Sequence, residues 1–153
     1  MLVIFRNHLI VTGAVTLVVV KSLELGLPLW AVIGGIFFGS LLPDLDHPSS
    51  TIGKRVLFVS VPLAGLFGHR QFTHSIWPLI FTIWLFNLTE HANGYVMVLM
   101  IGYMSHIIAD MLTDSGVPLL WPVQKRFGIT ICKTGGVLEH IVAYGLLAVA
   151  LIL

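Results

Sequence analysis

Apolar residues along this chain come in long runs, without the two-residue alternation of half-buried strands. A helix that crosses a bilayer needs about 20 mostly apolar residues, and about 17 can serve. Five runs come near that length, at residues 8–25, 27–42, 75–88, 95–112 and 136–153, and each reads as a membrane-spanning helix. Pro28 suits the first turn of the second run. Gly34, Gly35 and Gly39 inside it let a neighbouring helix approach closely. Thr73 is the expected N-cap of the third, with Pro78 early in the helix, and His91 to Gly94 form the turn before the fourth.

Two stretches are left over. Residues 56–67 are apolar but short, with Pro62 and Gly65 among them, so an interfacial or re-entrant helix is expected there. Residues 113–135 read as a polar connection, with Trp121 suited to the headgroup zone.

Composition fixes the class. Hydrophobic residues make up 57% of the chain and charged residues 10%, against about 25% charged in typical soluble proteins. With a mean hydropathy of +0.98, the expectation is an all-α polytopic membrane protein, with residues 1–153 as a single domain. The net charge of +1 is too small to suggest nucleic-acid binding, so membrane lipid is the expected surrounding. A single cysteine, Cys132, rules out an internal disulfide and is assigned no role. The first run follows Arg6 but ends in Lys21, Ser22, Leu23 and Glu24, without a small-x-small cleavage pattern, so it reads as a retained span.

Charge also orients the chain. With five crossings and no crossing by residues 56–67, the N-terminal side collects Arg6, Lys54, Arg55, Arg70, Lys125, Arg126 and Lys133. The other side holds only Lys21. The positive-inside rule makes the N-terminal side cytoplasmic and leaves the C-terminus outside.

The same sorting gathers the chemistry at the cytoplasmic face. Asp44, Asp46 and His47 end the second run between Pro43 and Pro48, so the chain there is expected to leave the helix and extend. Two acids so close at the end of an apolar segment call for a cation. His106 and Asp110 are four apart and share a helix face, a sound geometry for two ligands of one ion. The alternative is a histidine hydrogen-bonded to its own i+4 carboxylate, but ionisable residues within membrane helices are costly and usually functional. Asp114 continues that stripe, and Thr113 reads as a capping or turn residue. His8, His74 and Glu139 lie at the same depth, and Glu139 is preferred over its neighbour His140 because adjacent helical residues face different ways. The candidate metal ligands are therefore His8, Asp44, Asp46, His74, His106, Asp110 and Glu139. His47 and His69 read as supporting residues or headgroup contacts, and Glu24, Glu90 and His91 as surface on the opposite side. Arg70 shares a face with His74 if their stretch is helical, and it suits either a bidentate clamp on an anion or a lipid headgroup.

Pro-Asp-Leu-Asp-His at Pro43 to His47, Arg-x-x-Thr-His-Ser at Arg70 to Ser75 and Ser-His-x-x-x-Asp-x-x-Thr at Ser105 to Thr113, with His8 before and Glu139 after, resemble the YdjM-like family. These are bacterial inner-membrane proteins described as metal-dependent hydrolases and linked by name to LexA regulation. The resemblance covers nearly the whole chain, and it implies a membrane-bound hydrolase fold with His and Asp ligands.

The expected function is thus a membrane-bound metal-dependent hydrolase with a cytoplasm-facing site. One or two divalent ions, zinc, manganese or iron, suit the mixed imidazole and carboxylate donors. Arg70 would stabilise developing negative charge, and Asp46 or Glu139 would serve as general base. A site at headgroup depth suggests an anionic small molecule, a phosphoester or a lipid-derived substrate. The competing readings are a metal-binding transporter component and a non-catalytic scaffold whose polar cluster only locks the helices. Transport requires polar groups reaching the midplane, where the spans look dry.

Overall fold

The computed structural model describes residues 2–68, 70–88, 94–114, 116–131, 133 and 136–153, and among these the side chains of 2–5 and 85–88 are left aside. His69, Glu90, His91 and Cys132 therefore lie outside the described residues. The architecture is all-helical, in the order α1 (Leu2–Ser22), α2 (Leu29–Leu41), α3 (Leu57–Phe67), α4 (Trp77–Leu88), α5 (Gly94–Met111) and α6 (Val137–Ile152). Short 3-10 turns occupy Leu42–Asp46, Gly53–Arg55 and Phe72–His74. Among the described residues the only strand-like pairing is an isolated bridge between Val117 and Phe127.

The apolar runs become helices, but several ends shift. α1 starts at Leu2, so His8 stands in its second turn rather than opening the helix. The acids after α2 sit in a 3-10 turn, not an extended segment, because Pro43 takes the first turn, where its missing N–H is harmless. At three residues per turn, Asp44 and Asp46 then point in different directions. α4 starts at Trp77, whose N–H donates to the Ser75 hydroxyl at 3.3 Å, so Thr73 is not its cap. α5 ends at Met111, which leaves Asp114 exposed beyond it.

Two stretches, Leu29–Asp46 and Gly94–Met111, are long and apolar enough to cross a membrane by length and composition, while Leu57–Phe67 and Val137–Ile152 are shorter apolar helices. Helix direction alternates. Asn7 near the start of α1 donates to Glu139 near the start of α6, and Lys21 at the end of α1 donates to the Ala150 carbonyl near the end of α6. Gly94 at the start of α5 abuts Leu27 just before α2. The end of α2, the end of α5 and the start of α1 thus share one pole of the bundle.

The central contact is α2 against α5. A Cβ on Gly35 would lie 2.3 Å from Val98 Cγ1, and one on Gly39 would lie 2.5 Å from the Leu99 carbonyl oxygen, so these glycines let the backbones nearly touch. Gly34, grouped with them in the sequence, faces open space. Beneath the shared pole, Tyr103, Ile107 and Val117 form a buried apolar cluster. Val117 shows that the 113–135 connection is more than polar: it is anchored in the core, and Ile129 and Ile131 donate to the Met111 and Leu112 carbonyls at the end of α5.

Candidate metal centre

Asp110, on the last turn of α5, is 1% exposed, and its carboxylate lies at the centre of the shared pole. Its Oδ1 is 3.3 Å from His8 Nε2. Its Oδ2 is 3.5 Å from His74 Nε2, 3.7 Å from His106 Nε2 and 3.5 Å from an Arg70 guanidinium nitrogen. Asp44, the partly exposed member, places Oδ1 3.8 Å from His74 Nε2. The structure therefore brings together His8, Asp44, His74, His106 and Asp110, with Arg70 at their edge. Among the described residues two donor groups have the compactness a metal requires, His8 with His106 and Asp110, and Asp44 with His74 and His106.

These separations exceed the 2.7–3.2 Å range of N–H···O hydrogen bonds. Both Asp110 oxygens and His106 Nε2 are buried without a hydrogen-bond partner. A buried carboxylate with unmade hydrogen bonds is strongly disfavoured unless a cation answers it. Donors around a tetrahedral ion at about 2.0–2.1 Å lie about 3.4 Å from one another, close to the observed spacing.

Neighbouring groups fix the imidazoles. His106 Nδ1 is 2.7 Å from the Ser40 carbonyl, which can only accept, so Nδ1 carries the proton and Nε2 offers its lone pair. His8 stacks on His106 with ring centroids 4.3 Å apart. Thr73 donates its single hydroxyl proton to Asp46 Oδ2 at 2.5 Å. The 3.2 Å contact of that hydroxyl with His74 Nδ1 is then a donation from the ring, so His74 also turns an unprotonated Nε2 to the cluster. The Tyr103 hydroxyl donates to the Thr73 carbonyl and holds this turn against α5.

Two expected ligands stand elsewhere. Asp46 is fully buried and is held by Thr73 and by the backbone N–H groups of Gln71 and Arg70, so it supports His74 from behind instead of facing the cluster. Glu139 accepts from Asn7 Nδ2 at 2.7 Å, while His140 Nδ1 meets Asn7 Oδ1 at 2.8 Å. Both neighbours on α6 thus reach the two ends of the same Asn7 amide. His47 lies outside the cluster, in contact with Ser49. Arg70 is in a turn with φ of +54°, not on a helix, and reaches the cluster through its length. Asn7, Ser40 and Tyr103 carried no signal of their own in the sequence, since Asn7 precedes the first apolar run beside Arg6 and His8, Ser40 is a single polar residue inside a run, and Tyr103 is an ordinary aromatic.

The family model of the YdjM inner membrane protein matches residues 3–152. Inner membrane protein YdjM of Escherichia coli (strain K12) is 39% identical over 124 residues, covering 76% of this chain and 63% of the relative. The Shigella flexneri protein of the same name matches to the same extent. Protein YvsG of Bacillus subtilis (strain 168) is 35% identical over 109 residues, 71% of this chain and 68% of that relative. The match thus spans less than two thirds of the length of the two YdjM proteins. No solved structure matches the chain at a significant level.

Proposed function

The chain belongs to the YdjM family of inner membrane proteins, and we propose that it is a membrane-bound metal-dependent hydrolase whose ion is held by His8, His74, His106 and Asp110. The observation that carries this reading is the set of three imidazole Nε2 atoms 3.3–3.7 Å from the buried Asp110 carboxylate, a spacing longer than that of well-formed hydrogen bonds and close to that of donors around one ion. A scaffold built only to lock helices would be expected to close those pairs into hydrogen bonds. One divalent ion is favoured over two, because both donor groups draw on His106, whose Nδ1 is committed to Ser40.

When bound, such an ion lowers the pKa of a coordinated water and polarises a phosphoryl or carbonyl oxygen. The chain supplies the rest. Asp44, with 21% of its side chain exposed, is the carboxylate able to take a proton from water beside the cluster. This role falls to it because Asp46 and Glu139 are occupied by Thr73 and Asn7. Arg70, 24% exposed and 3.5 Å from Asp110, holds developing negative charge on an anionic substrate. Asp46 acts through Thr73 as a positioning residue for His74.

We place five helices, α1, α2, α4, α5 and α6, across the inner membrane, with the cluster facing the cytoplasm. The alternating helix directions and the clustering of Arg and Lys near the shared pole support this. α3, with 11 residues and Pro62 inside it, is assigned to the interface, because a crossing there would put Asp44 and His74, 3.8 Å apart, on opposite sides of the membrane. A phosphoester is the substrate class that a metal beside an arginine at headgroup depth fits best. The test is elemental analysis of the purified protein, followed by hydrolysis of a phosphoester panel with and without chelator. Protein that carries no transition metal, or that carries metal and is inert across the panel, would refute the proposal.

A further inference from the structure

A second feature of the bundle reaches the cluster from the membrane side. α1, α4, α5 and α6 enclose a cleft of about 690 Å³, within the range of about 300–1,000 Å³ typical of ligand pockets. Its lining follows the length of α5 from Gly94 and continues past its end to Thr113; α5 itself rises about 26 Å, most of the hydrocarbon thickness. Val11, Val15 and Val19 of α1 form one wall, and Met97, Met100 and Met104 of α5 face them. Polar side chains gather at one end, where Asn7, His8 and Glu139 meet Thr113. α4 and α6 form the flanks, and among the described residues they do not pack substantially on each other, so the cleft opens sideways.

We infer that this cleft holds the aliphatic chain of a glycerophospholipid, with the head group at the His8 end. The inference rests on the hydrolase reading for what happens to that head group, but not for the seat of the chain. Inside a bilayer an empty apolar cleft forfeits dispersion contacts, and the only abundant filler is hydrocarbon. The wall suits a flexible chain, because methionine is unbranched and adapts to irregular partners. The polarity gradient sets the direction: an amphiphile lying the other way would bury its head group among valines and methionines. His8 joins the two features, since its ring lines the cleft while its Nε2 faces Asp110.

The experiment uses full-length protein in phosphatidylglycerol vesicles containing a trace of phosphatidylglycerol with a diazirine near the end of one chain. After irradiation, labelled residues are mapped by mass spectrometry, with metal present and after chelation. Label should concentrate on Met97, Met100 and Val15 and saturate at about one chain per protein, above the diffuse label on outward-facing Phe58 and Leu151. Val15→Trp and Met100→Trp, which fill the cleft from opposite walls, should each cut the cleft label at least tenfold and leave Phe58 and Leu151 unchanged. Cleft label that never saturates, or that survives in both variants, overturns the inference. Because cross-linking needs neither metal nor turnover, a protein that labels in the cleft but hydrolyses nothing would retain this site while refuting the hydrolase.

Discussion

His106 on α5 donates its Nδ1 proton to the carbonyl of Ser40 on α2, 2.7 Å away. The bond exists only because Gly39, next to Ser40, lies against Gly102 with no side chain between the helices. Metal affinity should therefore depend on a glycine that could never be a ligand. Gly39→Ala puts a Cβ 2.5 Å from the Leu99 carbonyl oxygen, backbone that cannot swing aside. We expect a loss of about 1–3 kcal/mol of stability and weaker metal binding by isothermal titration. Gly34→Ala, in open space one residue from Gly35, should change neither.

Asp46, Thr73 and His74 give a sharper test of positioning. Thr73→Val keeps the side-chain shape but removes the hydroxyl between the carboxylate and the imidazole. Metal affinity should fall about 10–100-fold, as for other groups that orient a ligand, and folding should weaken by about 1–3 kcal/mol from the buried carboxylate left short of a donor. Thr73→Ser should restore most of both. Equal metal affinity in Thr73→Val would show that the hydroxyl does not set the His74 ring.

Arg70 separates chemistry from structure. Arg70→Ala should keep the metal, read by elemental analysis, and lower the hydrolysis rate by about 10²–10³, as for other donors to transition-state charge. Arg70→Lys should also be slow, because an ammonium lacks the planar fork. Arg70→Gly is the control for the backbone, since φ of +54° suits glycine. If the alanine variant loses metal while the glycine variant keeps it, the effect is conformational and the assigned role is wrong.

Topology can be read by cysteine labelling in intact cells after Cys132→Ser. Lys54→Cys and Lys125→Cys occupy exposed positions and should resist a membrane-impermeant reagent, whereas exposed Glu24→Cys should react. Gly53 is unsuitable as a probe, because a Cβ there would lie 2.0 Å from the His47 carbonyl oxygen. Reaction at Lys125→Cys but not at Lys54→Cys would mean that α3 crosses, and the proposed topology would fail.

The helices and most of the cluster were legible because their signals are local. Long apolar runs announce helices, and His106 and Asp110 are joined by helical periodicity alone. His8, Asp44 and His74 could be added by depth, since alternation of spans places them at one pole. Depth cannot say which way a side chain points, and this is why Asp46 and Glu139 were misplaced. Asp46 is diverted by a 3-10 turn that an Asp-Leu-Asp sequence between prolines does not distinguish from an extended segment. Glu139 is diverted by Asn7, a partner 132 residues away. Arg70 reached the cluster from a left-handed turn that no periodicity encodes.

The two bonds between α1 and α6 bear on how the protein is made. Asn7 and Lys21 are both on α1, and their partners, Glu139 and Ala150, are both on α6. On the proposed topology α1 enters the bilayer while α6 has yet to leave the ribosome, so the Asn7 amide and the Lys21 ammonium wait without these partners. The nascent chain must shield them provisionally, with water, lipid head groups or the insertion machinery, until the last helix arrives. A ribosome stalled before α6 would leave His8 on a helix that still lacks its lateral support. Completion of the cluster's surroundings is in this way timed to the end of translation.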